Sequence, residues 1–238
     1  MSAGVNSSVG TVNDEVEVYA RYHYKRYSYL IALVHDLLPE RKSRILDVGR
    51  GLFTNILAAE YPNVTTLGFA SAISAMPMVP KHIPHIVFDL NGAQHKSNWT
   101  TLPQFDLIVF AEVIEHLYTA PELVMSMLSS SLAQDGYCIV QTPNAVALHK
   151  RVLSVCGRNP YERIRLDNSE PGHFREYTKH ELVAIGRYAG LTVVRHEYKN
   201  YFGVQGGALR KLAGTLFELV TLPFPSLRRG QTIVFHKL

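Results

Sequence analysis

The chain has 238 residues, 47% of them hydrophobic and 18% charged, a balance that excludes a disordered or collagen-like polymer and leaves room for one core with a modest cap. Two cysteines exclude a disulfide framework or a thiolate zinc site. The net charge of +4, from 24 basic and 20 acidic residues, speaks to solubility and shows no concentrated nucleic-acid patch.

In chain order, a loosely apolar stripe of Val18, Tyr22, Tyr29, Ala32, Leu33 and Leu37 predicts a helix over residues 15–38, stopped by Pro39. Short apolar runs predict strands at 44–49, 64–69, 85–89, 105–111 and 137–142, with helices at 53–61 and 121–133 between them. Strands alternating with helices in this way build βαβ units and a parallel sheet covered on both faces. Residues 144–175 are irregular and rich in Arg, Asn and Pro, which reads as a long loop or a small cap over a site. Thr178 and Glu181 form a capping box that opens a helix ending before Gly190. Strands at 191–198 and 231–237 follow, separated by a helix over 207–220. Residues 207–229 mix Leu and Phe with Arg and Lys, which suits a docked amphipathic helix or one that grazes a membrane. Cys138 and Cys156 read as small buried side chains. No run reaches membrane-spanning length, and the N-terminus lacks a basic start followed by an apolar stretch, so a cytoplasmic protein is expected.

Two places carry chemistry. The first strand runs into Asp47-Val-Gly-Arg-Gly51 with a helix just beyond; the glycines allow a tight turn close to a ligand, and the helix start offers unpaired N–H groups. Asp47 there is equally suited to capping the turn. On a helical turn, Glu112 and Glu115 stand at i,i+3 and Glu112 and His116 at i,i+4, so that all three project to one side. Such a set would hold a divalent cation; without one, His116 would serve as a general base. Five tyrosines between Tyr19 and Tyr29 would line a lid in part, but spread over ten helical residues they cannot all face one way.

The Asp47–Gly51 turn, followed by Phe105-Asp-Leu-Ile-Val-Phe-Ala-Glu-Val-Ile-Glu-His-Leu117, Gly136-Tyr-Cys-Ile-Val-Gln-Thr-Pro-Asn144 and Gly172-His-Phe-Arg-Glu-Tyr-Thr178, resembles the class I S-adenosylmethionine-dependent methyltransferases. The resemblance points to the broad subgroup that includes ubiquinone-pathway O-methyltransferases and small-RNA 2′-O-methyltransferases. The resemblance implies a Rossmann-like, doubly wound α/β fold: a seven-stranded, mostly parallel sheet with helices on both faces, an N-terminal helical lid and a small insertion after strand five. It implies S-adenosylmethionine as cofactor, held by Asp47, Gly49, Arg50 and Gly51, by Ala111, by Asp89 and Leu90 where the family reads adenine, and by Arg26 toward the methionine carboxylate. Asp89 is also placed to begin an Asx-turn at Asn91-Gly92. Two departures stand out. Phe53 occupies the third glycine position, and Ala70 replaces the acid that usually accepts hydrogen bonds from the ribose; no Asp or Glu occurs over 62–85.

By the same resemblance, Glu112, Glu115 and His116, completed by His173, are the candidate ligands of Mg or Zn, with His116, His173 and Glu112 as the catalytic candidates. The expected reaction is methyl transfer to an oxygen of a small-molecule or glycan-type acceptor. A catalytically weakened binding or regulatory protein of the same fold, and an RNA 2′-O-methyltransferase, stand as alternatives. The expected organisation is a flexible stretch over 1–14, the lid over 15–40 and the methyltransferase-like domain over 41–238, with 144–175 as its cap.

Overall fold

A computed structural model describes residues 8–71, 79–166, 172–202 and 206–238. Strands β1 (Ile45–Val48), β2 (Val64–Gly68), β3 (His85–Val87), β4 (Phe105–Ala111), β5 (Leu132–Pro143), β6 (Thr192–Lys199) and β7 (Gly230–His236) form one sheet in the order β3-β2-β1-β4-β5-β7-β6. The first five run parallel, and β7 lies antiparallel between β5 and β6. This is the expected seven-stranded, Rossmann-like sheet. The order turns outward in both directions from β1 and β4, and it is at such a switch that an open sheet forms a crevice.

The central strands are nearly continuous apolar runs because both faces are covered. Leu46, Ile108, Phe110 and Val140 point to one core, closed by Val124 and Leu128 of α3 (Pro121–Ser130) and by Leu182 and Ile185 of α5 (Lys179–Tyr188). Their alternates Ile45, Leu107, Val109 and Ile139 point to the other, closed by Leu30, Leu33 and Val34 of α1 (Ser8–Leu37) and by Phe53 and Leu57 of α2 (Leu52–Glu60). The N-terminal helix is therefore a core layer along its second half. It starts at Ser8, so the stretch expected to be flexible is helical from residue 8, and residues 1–7 lie outside the described residues.

Thr178 caps α5 as expected: its hydroxyl accepts from the Glu181 N–H at 3.3 Å, and Glu181 accepts from the Thr178 N–H at 2.7 Å. Gly186 in that helix lies directly against the Phe235 ring of β7.

Three expectations change. Residues 144–175 contain a helix, α4 (Leu148–Val155), while 167–171 of the expected cap lie outside the described residues. β5 begins at Leu132, five residues before the expected start, because Asp135 in a left-handed conformation (φ 60°) kinks a strand that continues on both sides of it. Cys156, just past α4, is exposed, whereas Cys138 is buried. The helix α6 (Ala208–Thr221) stands between β6 and β7 as expected.

Candidate active site

The carboxyl ends of β1, β4 and β5 open into a cavity of about 460 Å³. Its floor is Asp47 to Phe53, one wall is Ala111, Glu112, Val113, His116 and His173, and the other is Tyr19, Tyr22, His23, Arg26 and Tyr27 of α1, with Phe202 closing the rim.

The floor is built by the glycine turn. Gly49 has φ 95°, a conformation that disfavours any L side chain, and a Cβ there would meet Val113 Cγ2 at 3.2 Å. Gly51 starts α2, and its N–H is accepted at 3.0 Å by the Thr54 hydroxyl, which in turn donates to Asp47 Oδ2 at 2.6 Å. Asp47 thus ties down the turn while it borders the cavity. Burial pushes its carboxyl up to about 7, against the hydrogen bond from Thr54 and the nearby Arg26 charge. Phe53 stacks on Tyr27, with ring centroids 5.6 Å apart, and so joins the turn to α1. Arg50 turns inward. Its guanidinium donates to Thr66 Oγ1 and to the carbonyls of Val79, Pro80 and Ile83 at 3.0–3.3 Å.

In the acidic wall, Glu112 follows β4 at φ 57°, and the chain then makes a single 3-10 turn, Ile114–His116. Glu115 is buried and Glu112 half-buried, and desolvation pushes both carboxyls upward; the Glu115 charge raises Glu112 further, and Arg26 opposes both shifts. Glu115 Oε2 accepts from Thr142 at 2.9 Å, whereas Oε1 of each glutamate finds no donor among the described residues. Arg26 is buried over the Tyr27 ring, 4.8 Å from its centroid, and its Nε is likewise unpartnered among the described residues.

The two histidines face each other edge to face, 4.8 Å between centroids. His116 Nδ1 donates to the Gly172 carbonyl at 2.9 Å and His173 Nδ1 donates to Glu176 at 3.3 Å, so each ring keeps its Nε2 lone pair free of these bonds. Burial and the neighbouring His116 hold His173 down at about 4. Glu176 also pairs with Lys150, and both partners are buried. Glu115, His116 and His173 bring one ligand atom each within 4.8 Å of one another. Glu112 stands outside that trio: entry through a left-handed residue into a 3-10 turn breaks the α-helical spacing that would have aligned it.

Ala70, Asp89 and Leu90 do not reach the cavity. Ala70 is exposed beyond β2; Asp89 accepts from the Asn91 N–H at 2.9 Å in an Asx-turn, and Leu90 is buried in the core. Of the tyrosines expected to line a lid, Tyr19, Tyr22 and Tyr27 line the cavity, and His23 and Phe202 line it beyond the expected set. His23 is held down at about 4 by burial and stacks with Tyr27. Phe202 stacks on Tyr22 from 180 residues away, a proximity that no local pattern in the chain announces.

Residues 22–196 match the family model described as a methyltransferase domain. The chain belongs to that family. It is a class I S-adenosylmethionine-dependent methyltransferase. The methyltransferase is similar to an S-adenosylmethionine-dependent methyltransferase of Clostridium acetobutylicum ATCC 824, at 12% identity over 95% of this chain and 99% of that one, with a TM-score of 0.61. It is also similar to the N-methyltransferase NodS of Bradyrhizobium japonicum WM9 in complex with S-adenosyl-L-homocysteine, at 17% identity over 90% and 86%, TM-score 0.55. A third likeness is to magnesium protoporphyrin IX methyltransferase of Synechocystis PCC 6803, at 12% identity over 100% and 90%, TM-score 0.52. At these identities the likeness is one of fold. No curated protein matches the methyltransferase in sequence.

Proposed function

We propose that the enzyme passes the methyl group of S-adenosylmethionine to an oxygen of a small-molecule or glycan-type acceptor, as in the O-methyltransferase subgroup its motifs resemble. The observation that carries this reading is the convergence of Glu115, His116 and His173 beside the cavity. His116 offers the Nε2 lone pair that takes the acceptor's proton as the acceptor oxygen takes the methyl group and the C–S bond breaks. The stacked Tyr27 and Phe53, with Phe202 at the rim, exclude water and hold the reactants in line.

The cofactor fits one half of the site better than the other. Arg26, a buried cation with an unpartnered Nε at the cavity, suits the methionine carboxylate, and the Gly49–Gly51 turn permits close approach of backbone to ligand. At the end of β2, exposed Ala70 offers the ribose no acceptor, and Arg50 is committed to backbone carbonyls.

A divalent cation also fits. Each histidine donates its Nδ1–H to a carbonyl or carboxylate, the arrangement that fixes imidazole ligands, and Glu115 Oε1 is a buried oxygen in need of a partner. One carboxylate and two imidazoles match zinc better than magnesium. Bound there, the cation would act as a Lewis acid on the acceptor oxygen.

Calorimetric titration with S-adenosylhomocysteine, with and without zinc or magnesium, tests the proposal. Binding is expected without added metal, and a metal-dependent second signal is expected to vanish in Glu115→Ala. No heat at millimolar ligand overturns the cofactor assignment and leaves a binding protein of this fold. Binding with no metal in elemental analysis, and turnover unaffected by chelator, removes the cation and leaves His116 as the base.

A further inference from the structure

Helix α6 is amphipathic the wrong way round. At 100° per residue Leu209, Leu212, Leu216, Leu219 and Val220 fall within an arc of about 100°, and all five are exposed, between 47% and 80%. The helix rests on the rest of the chain through its other side, where Gly214 and Thr221 are buried and Phe217 half-buried. Leu222 and Phe224 extend the exposed apolar face past the end of the helix. A soluble helix normally turns such a stripe inward.

The neighbourhood continues the pattern. His149 of α4 lies against Phe217, 6.1 Å between ring centroids, and α4 exposes Val152 and Val155. Charge is one-sided there. Residues 144–161 contain no acid, and 206–229 contain four basic residues and one acid, Glu218, in a chain with 20 acids in all. That acid is neutralised by Lys25 at 3.0 Å. Arg151, Arg158, Arg210 and Arg229 of these segments are all exposed, and Arg229 lies over the Phe217 ring at 4.5 Å.

Leucines facing out, in segments that carry exposed arginines and a single, paired acid, complement an interface that is apolar below and anionic above. No helix among the described residues is long and apolar enough to cross a membrane. We infer that α6, with α4, seats the protein on the surface of an anionic lipid bilayer, the leucines entering among the acyl chains and the arginines meeting lipid phosphates. The contact opens beside the cavity, because Lys25 of α1, next to Arg26 of the cavity wall, pairs with Glu218 of α6.

Co-sedimentation of the full chain with vesicles tests this, using pure phosphatidylcholine and a mixture with phosphatidylglycerol. The protein is expected to pellet with the anionic vesicles, to be released by high salt, and to lose at least tenfold in partitioning in Leu212→Asp/Leu216→Asp. Both leucines are exposed, so that variant is expected to keep its melting temperature and its affinity for S-adenosylhomocysteine. Failure of the wild type to bind either vesicle, or equal binding by the variant, overturns the inference. So does a dimer in light scattering that the aspartates dissociate, since a second copy would then cover the face.

Discussion

Gly49→Ala and Gly51→Ala look like equivalent edits of one motif, and the structure separates them. At φ 95° Gly49 holds a conformation that costs an L residue about 1–3 kcal/mol, and the new Cβ would press on Val113 Cγ2 at 3.2 Å. At roughly 2–4 °C per kcal/mol for a chain of this size, Gly49→Ala should lower the melting temperature by about 2–12 °C. Gly51 has φ −164°, extended backbone open to any residue, and a Cβ there meets nothing within 4 Å. Gly51→Ala should therefore stay within about 0.5 kcal/mol of wild type. Thermal melts followed by circular dichroism read both. If the two variants melt together, the left-handed turn is not what makes the first glycine necessary, and the account of the cavity floor fails.

Three further outcomes are expected. Gly186→Ala would normally strengthen a helix by up to about 1 kcal/mol, but here the added carbon would sit 2.0 Å from Phe235 Cε1, so a loss of about 1–3 kcal/mol in urea unfolding is expected; a gain would contradict the α5–β7 contact. Asp47, with its folded pKa raised to about 7 by burial, contributes stability that is full below its unfolded value near 4 and is lost as pH rises through 7. Relative to wild type, Asp47→Asn should thus gain up to about 4 kcal/mol between pH 4 and 8, at about 1.4 kcal/mol per unit; a flat difference would show that Asp47 ionises normally. Ala70→Asp should tighten S-adenosylhomocysteine binding by about tenfold or more, the worth of a charge-assisted hydrogen bond of about 1.5–3 kcal/mol. Calorimetry showing no gain would mean that the ribose passes elsewhere.

The strands were legible because burial on both faces writes continuous apolar runs, and the α5 cap because Thr178 and Glu181 act within one turn. What escaped depends on contacts distant in sequence or on backbone hand. Helix α4 hides because its buried residue is Lys150, whose ion pair with Glu176, 26 positions away, supplies what an apolar side chain would otherwise give. The Glu112–His116 segment was legible as a cluster but not as a geometry, since the positive φ of Glu112 redirects the chain before the 3-10 turn begins. Phe202 and His23 meet at the cavity, 5.3 Å between ring centroids, only because the sheet brings α1 and the end of β6 to one edge.

Arg50 sits in the middle of the glycine motif yet spends its guanidinium on the strap that leads into β3. The turn and the strap consequently behave as one lever rather than two loops: a shift at Pro80 or Ile83 reaches Gly49 and Gly51 through a single rigid fork. A lysine, with one point of attachment, would uncouple them. Ligand grip at the cavity floor is thereby set partly by residues that never touch the ligand, thirty positions down the chain.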